Sequence, residues 1–320
     1  MKITVASALT AAALCITANI AVAQDPAKVP RVGVLASTSG PGGLDDGLFQ
    51  GLRDLGYIDG RNIVLHVRWG AGRPEQYAAF AAELIGLGVD VIVGSGARCE
   101  AAFALTKSIP IICPTISEPM EKGLIASFNR PGGNVTGILL LTQELFHKRF
   151  QLLKEALPAA KRVGVLWTRE NQILLDWTKT AAQLLDFDVN AIRIAGAADI
   201  EAMFETAMRN RPDAMVTTQS PLFAIHRGTV AKLGLKHRIP TMSGETGFAS
   251  AGGFLEFGPD IAASWRRAAT YVDKILKGEN PANMPVEQPT AKLAVNLQTA
   301  KVLALDIPTA ILLRADEVIE

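Results

Sequence analysis

Ser95 stands between two glycines in Val93-Gly94-Ser95-Gly96-Ala97, a setting that can expose a serine hydroxyl for attack on an acyl group. The frame misses Gly-x-Ser-x-Gly, in which a strained strand-to-helix turn presents the nucleophile. Ser95 therefore reads as a helix cap or a ligand hydroxyl. His66, His147, His226 and His237 are scattered along the chain, and none has metal-ligand spacing or a nucleophile paired to it. Gly40-Pro41-Gly42-Gly43 has neither the Lys-Ser/Thr ending of a phosphate loop nor the spacing of a dinucleotide fingerprint. No catalytic residue, metal site or cofactor is expected, and the chain is not expected to be an enzyme. A hydrolase or isomerase working in a crevice is the rival reading, which turnover of any bound compound would revive.

Ser37, Thr38, Ser95, Gly96, Thr115, Ser117, Glu118, Thr168, Gln219, Ser220 and Glu245 share one property: each lies at the end of a short apolar run. Hydroxyls, amides and carboxylates so placed hydrogen-bond a small polar ligand without reacting with it. Glu118 and Glu245 suit an ammonium group, or else the N-terminal end of a helix, where negative charge is favoured anyway. Trp167 offers a flat wall for an aromatic or apolar ligand, with a core position as the alternative. Phe257 divides between hinge packing and ligand contact.

The elements that must position these residues come from a repeat. Arg31-Val32-Gly33-Val34-Leu35 recurs as Arg162-Val163-Gly164-Val165-Leu166. At nearly the same spacing Val89-Asp90-Val91-Ile92-Val93 is answered by Pro212-Asp213-Ala214-Met215-Val216, and Ile109-Pro110-Ile111 by Ile239-Pro240-Thr241. Self-similarity of this kind marks a duplicated unit. The matched runs are β-branched and apolar, and amphipathic stretches follow them, as in parallel strands covered on both faces by crossover helices. Ligands of such α/β sheets bind beyond the carboxyl ends of the strands.

The chain has 320 residues, 49% apolar and 20% charged, with a formal net charge of +1. That length supports two separate cores, and the balanced charge gives no footprint for nucleic acid. Lys2, residues 3–20, which are almost wholly apolar or small, and Ala21-Val22-Ala23 read as a secretory signal peptide over residues 1–23, cleaved after Ala23. The mature chain is then periplasmic. No later run reaches the length of a membrane span, so no stable membrane insertion is expected after cleavage. Cys99 and Cys113 remain in the mature chain and flank the ends of successive predicted strands. They form a disulfide in an oxidising compartment, or stay as two buried thiols.

In chain order, residues 30–136 plus 258–283 are expected to form lobe 1, and residues 137–257 plus 284–320 lobe 2. Residues 252–257 read as a linker. The helical pattern at residues 261–276 finds no slot left in lobe 2 and is assigned to lobe 1. The proline-rich residues 280–289 cross again, which makes a three-segment hinge.

Several motifs carry a resemblance that runs from about Val32 to the C-terminus. They include Leu52-Arg53-Asp54-Leu55-Gly56-Tyr57, Gly60-Arg61-Asn62-Ile63, Arg130-Pro131-Gly132-Gly133-Asn134-Val135-Thr136-Gly137 and Pro285-Val286-Glu287-Gln288-Pro289-Thr290. With them the chain resembles the periplasmic substrate-binding proteins of ABC importers, in the branch labelled for tryptophan/tyrosine transport. The resemblance implies an α/β, type I periplasmic binding protein fold, with two Rossmann-like lobes and a ligand held between them. It also implies partners: a small-molecule ligand, an ABC permease and its ATPase. The binding protein itself is expected to be a monomer. Where many relatives have Asp-Pro after the fourth strand, this chain has Glu118-Pro119. Micromolar affinity, about −8 kcal/mol, would allow both capture and release. A ligand-loaded sensory module for a membrane receptor is the other non-enzymatic alternative.

Overall fold

The structure, a computed structural model, describes residues 29–36, 39–43, 45–70, 73–169 and 172–320. The expected signal peptide, Ser37 and Thr38 lie outside the described residues. Strands β1 (Arg31–Ala36), β2 (Val64–Trp69), β3 (Val91–Gly94), β4 (Ile111–Ile116) and β5 (Val135–Leu139) form an all-parallel sheet in the order β2-β1-β3-β4-β5. Helices α1 (Asp46–Asp54), α2 (Tyr77–Gly86) and α3 (Ala97–Leu105) connect the first four of them. Alternate residues of a strand face opposite ways. Accordingly Val32, Val34, Leu48 and Trp265 fill one buried cluster, and Leu35, Leu84, Ile92 and Ile111 the other.

The second sheet holds β6 (Arg162–Thr168), β7 (Asp188–Ile194), β8 (Ala214–Thr217), β9 (Thr241–Ser243), β10 (Leu255–Pro259), β11 (Ala291–Asn296) and β12 (Glu317–Ile319). Its order is β12-β11-β10-β9-β8-β6-β7, and only the β10/β11 pair is antiparallel. The run β7-β6-β8-β9-β10 thus repeats β2-β1-β3-β4-β5. Helices α4 (Gln143–Ala156), α5 (Gln172–Gln183), α6 (Ile200–Met208), α7 (Pro221–Ile225) and α8 (Arg227–Lys236) belong to this lobe. No helix among the described residues is long and apolar enough to cross a membrane.

The repeated residues do the same work twice. Asp90 accepts from the Arg31 amide at 2.8 Å, and Asp213 from the Lys161 and Arg162 amides at 2.9 and 2.8 Å. Each carboxylate thereby anchors the start of its lobe's first strand. The carbonyl of Pro110 accepts from Ile92 and that of Pro240 from Met215, both at 2.9 Å. A Cβ on Gly137 would strike the Cys113 carbonyl, and one on Gly258 the Gly244 carbonyl. Glycine therefore lets the fifth strand of each copy lie close against the end of the fourth.

That last pair corrects the expected linker at residues 252–257. From Leu255 onward the segment is β10, the fifth strand of the second sheet, paired with β9 and β11. Leu255 and Phe257 share a strand face and are both buried in the lobe-two core.

Helix α9 (Ile261–Leu276) returns to the first lobe. Gly47 and Gly51 let α1 approach it so closely that a Cβ would meet the Ala262 carbonyl at 2.5 Å and the Arg266 carbonyl at 2.7 Å. Tyr57 donates to Asp273 across the same interface at 3.0 Å. The chain after α9 stays with β5: Thr136 donates to the Met284 carbonyl at 2.7 Å, and Leu139 to the Glu287 carbonyl at 2.8 Å. It then enters β11 at Ala291, opposite Pro259. The connections after β5, after β10 and before β11 therefore run between the same two bodies.

Candidate functional site

Between the carboxyl ends of the two sheets lies a cleft of about 410 Å³, within the size range of small-molecule sites. The first lobe contributes Ser117, Glu118 and Lys122, which follow β4, and Ile261 at the head of α9. Leu140, Leu141 and Pro259 line it where the chain crosses between lobes. The second lobe contributes Ile173, Leu174 and Trp177 from α5, residues 219–221 after β8, Ala224 of α7, and residues 244–246 after β9. The cleft thus has an apolar aromatic side and two carboxylates with one ammonium, a lining suited to a small ligand with an apolar body and a charged end.

Trp177 is held by an edge-on contact with Phe146, ring centroids 5.7 Å apart. Glu118 sits at φ 50° in the turn after β4, and Lys122 pairs with Glu100 at 2.7 Å. Ser220 caps α7 through its hydroxyl, which accepts from the Phe223 amide at 3.2 Å. Its own amide donates to Oε1 of Glu245 at 2.6 Å. Burial pushes the Glu245 carboxyl up to about 7, against the Ser220 amide and the charges of Arg149 and Arg227, which favour the ionised form.

Behind this wall lies Arg149 of α4, 1% exposed. Its Nε donates to the Phe257 carbonyl at 3.0 Å and its Nη2 to Oε1 of Gln219 at 2.9 Å. The guanidinium stands 4.7 Å over the Phe146 ring. Gln219 in turn donates from Nε2 to the Gly244 carbonyl at 3.0 Å. Gly244 has no room for a side chain, because a Cβ would collide with Nη2 of Arg149 and with Gln219. Burial lowers the Arg149 pKa to about 10, and the nearby Glu245 opposes that shift.

Of the residues expected to bind ligand, the structure brings Ser117, Glu118, Gln219, Ser220 and Glu245 to the cleft. Ser95, Gly96 and Thr115 cluster at the ends of β3 and β4 but do not line it: Ser95 accepts from Arg98 at 2.6 Å, and the Gly96 amide donates to the Thr115 carbonyl at 3.2 Å. Thr168 is buried at the end of β6. Trp167 packs against the lobe-two core, on the same strand face as the core residues Val163 and Val165. Phe257 is also core, 8% exposed. Cys99 and Cys113 are joined as a disulfide with Cα atoms 6.0 Å apart, tying α3 to β4. Sequence reasoning missed Trp177 and Arg149. The signal for Arg149 was a charge on the apolar face of α4, set among Leu145, Phe146, Phe150 and Leu153.

Two α/β lobes facing each other across a cleft at their strand ends define a class, the two-lobed ligand-binding proteins of the type I periplasmic fold. The chain belongs to the ABC transporter substrate binding protein family, which it matches over residues 31–319. Members of that family bind and deliver substrates and are not catalysts. The chain is 25% identical over 264 residues to a tyrosine-binding protein of Clostridioides difficile (strain R20291), covering 80% of this chain and 75% of that one. Its fold matches an ABC domain in complex with L-Trp from Streptococcus pneumonia, with TM-score 0.77, 24% identity, and 91% and 99% of the two chains covered. It also matches a ligand-free, open substrate binding protein with adhesive properties from Clostridium difficile, with TM-score 0.78, 24% identity and the same coverage.

Proposed function

We propose that this chain is the extracytoplasmic solute-binding component of an ABC importer and that it captures an aromatic amino acid between its lobes. The observation that carries this reading is the pairing of Trp177 with Glu118 and Glu245 in one cleft. An aromatic side chain packs against the indole, and the ligand's ammonium group meets carboxylates. The relative named for tyrosine and the fold match holding L-Trp support the same ligand class.

Residues 1–23 act as a secretory signal peptide cleaved after Ala23, and the mature protein works in the periplasm as a monomer. The lobes close on the ligand by bending at the three connections between the sheets, and the loaded protein docks on a membrane permease driven by an ATPase. We assign residues 30–139 with 261–288 to the first lobe and residues 140–260 with 289–320 to the second. Ser117, Glu118, Trp177, Gln219, Ser220 and Glu245 contact the ligand.

A thermal-shift screen of L-Tyr, L-Trp and L-Phe against aromatic acids without an amine tests the reading. A ligand at 100 times its dissociation constant adds about 2.7 kcal/mol. Stabilisation by aromatic amino acids alone is expected. Stabilisation by the amine-free acids instead would overturn the ammonium assignment.

A further inference from the structure

We propose that Arg149 is the positioning residue of the cleft's second-lobe wall: it fixes the Gln219 amide and, through its charge, keeps Glu245 available as the acceptor for a cationic ammonium group. The ligand-contact part rests on the function proposed above. Arg149 does not line the cleft.

Geometry carries the proposal. A guanidinium has only donors, so the bond from Nη2 requires the Gln219 oxygen, and the Gly244 carbonyl requires its nitrogen. The amide therefore has one orientation. The bond from Nε to the Phe257 carbonyl ties the same guanidinium to β10, and the absence of a side chain on Gly244 lets the next turn rest on it. One buried side chain thus braces the segments that follow β8 and β9 against the middle of β10, and Glu245 leaves directly from the turn after β9. Lysine cannot reproduce the forked contact, although it carries the same charge.

Glu245 is faced by Arg149 from α4, by Arg227 from α8 and by Glu256 from β10; Glu118 and Lys122 line the same cleft from the first lobe. Arg149 and Arg227 favour its ionised form, while burial and Glu256 oppose it. Arg149 is itself fully buried, so its charge is poorly screened by solvent.

The test titrates the Glu245 carboxyl in the ligand-free protein by carbon-13 glutamate labelling, assigned through its loss in E245Q. The midpoint near pH 7 is expected to move upward in Arg149→Met and to stay in place in Arg149→Lys. An unchanged midpoint in Arg149→Met overturns the electrostatic role. In parallel, both variants are expected to lose at least about tenfold in affinity for L-tyrosine, because neither holds Gln219. Wild-type affinity in Arg149→Lys overturns the positioning role. Should Arg149→Met not fold, Arg149→Gln supplies the neutral variant. A wild-type protein that binds no aromatic amino acid refutes the ligand class, while the carboxyl titration still decides the effect of Arg149 on Glu245.

Discussion

Nη2 of Arg149 lies 2.9 Å from Oε1 of Gln219, which couples a buried residue of α4 to a residue that lines the cleft. Gly244 completes the arrangement, accepting from Gln219 and leaving no space for a side chain beside the guanidinium. Gly244→Ala is therefore expected to destabilise the protein by about 1–3 kcal/mol through overpacking and to weaken ligand binding. Urea unfolding and calorimetric titration of the variant check both effects. Gly40→Ala, where a Cβ meets nothing within 4 Å, serves as the control.

The two tryptophans at the end of β6 and on α5 should separate cleanly. Trp177→Ala is expected to lower affinity for an aromatic amino acid at least about tenfold, since a buried aromatic contact contributes roughly 1–2 kcal/mol or more. Trp167→Ala should leave affinity nearly intact and lower the melting temperature, because Trp167 packs on the core rather than the cleft. Paired titration and melting curves on the two variants distinguish these outcomes.

Glu245 gives a pH signature with a definite sign. Its carboxyl is raised from 4.5 to about 7 in the folded state, so the native protein binds more protons than the unfolded chain between those values. This group therefore makes stability fall as pH rises from about 4.5 to about 7 and leaves it flat beyond. The full effect is on the order of 3 kcal/mol. E245Q should lose that portion of the slope in unfolding measured at pH 5 and pH 8 (about the two limits). Affinity should run the other way, weakening as pH falls through about 7 and the acceptor is protonated.

The bond between Cys99 and Cys113 closes a segment with a sequence separation of 14. A loop of that length stabilises by about 3 kcal/mol in the chain-entropy description. The double variant Cys99→Ala/Cys113→Ala, or reduction of the native protein, should lower the melting temperature accordingly. Both cysteines lie outside the cleft lining, so affinity measured below the melting transition should change little.

The fold was legible because the duplication wrote itself into particular residues. Asp90 and Asp213 recur because each binds the amides at the start of its lobe's first strand, and Pro110 and Pro240 because each carbonyl pairs with the neighbouring strand. The copy of Val135–Leu139 at Leu255–Pro259 escaped notice, since only its glycine is shared and its sequence neighbours differ. Strand-end residues such as Gln219 and Glu245 were legible as site candidates because a parallel sheet delivers its strand ends to one crevice. For Trp167 and Phe257 two readings stay open in the sequence, because being near a strand end does not settle which face a side chain takes. The parity with Leu255 puts Phe257 in the core, and the parity with Val165 lays the half-buried Trp167 against it. Arg149 itself is marked by its place on the apolar face of α4, but its partners, Gln219 after β8 and Phe257 in β10, lie far along the chain and nothing local announces them.

The central claim is that the cleft holds an aromatic amino acid by its ring and its ammonium group. Isothermal titration of the wild-type protein with L-tyrosine, and with 3-(4-hydroxyphenyl)propionate, which lacks only the amine, tests it most directly. The account predicts a dissociation constant around micromolar for the amino acid and a loss of at least about a hundredfold for the amine-free acid, because Glu118 and Glu245 then face no cation. Equal affinity for the two compounds, or binding of the acid alone, would contradict it.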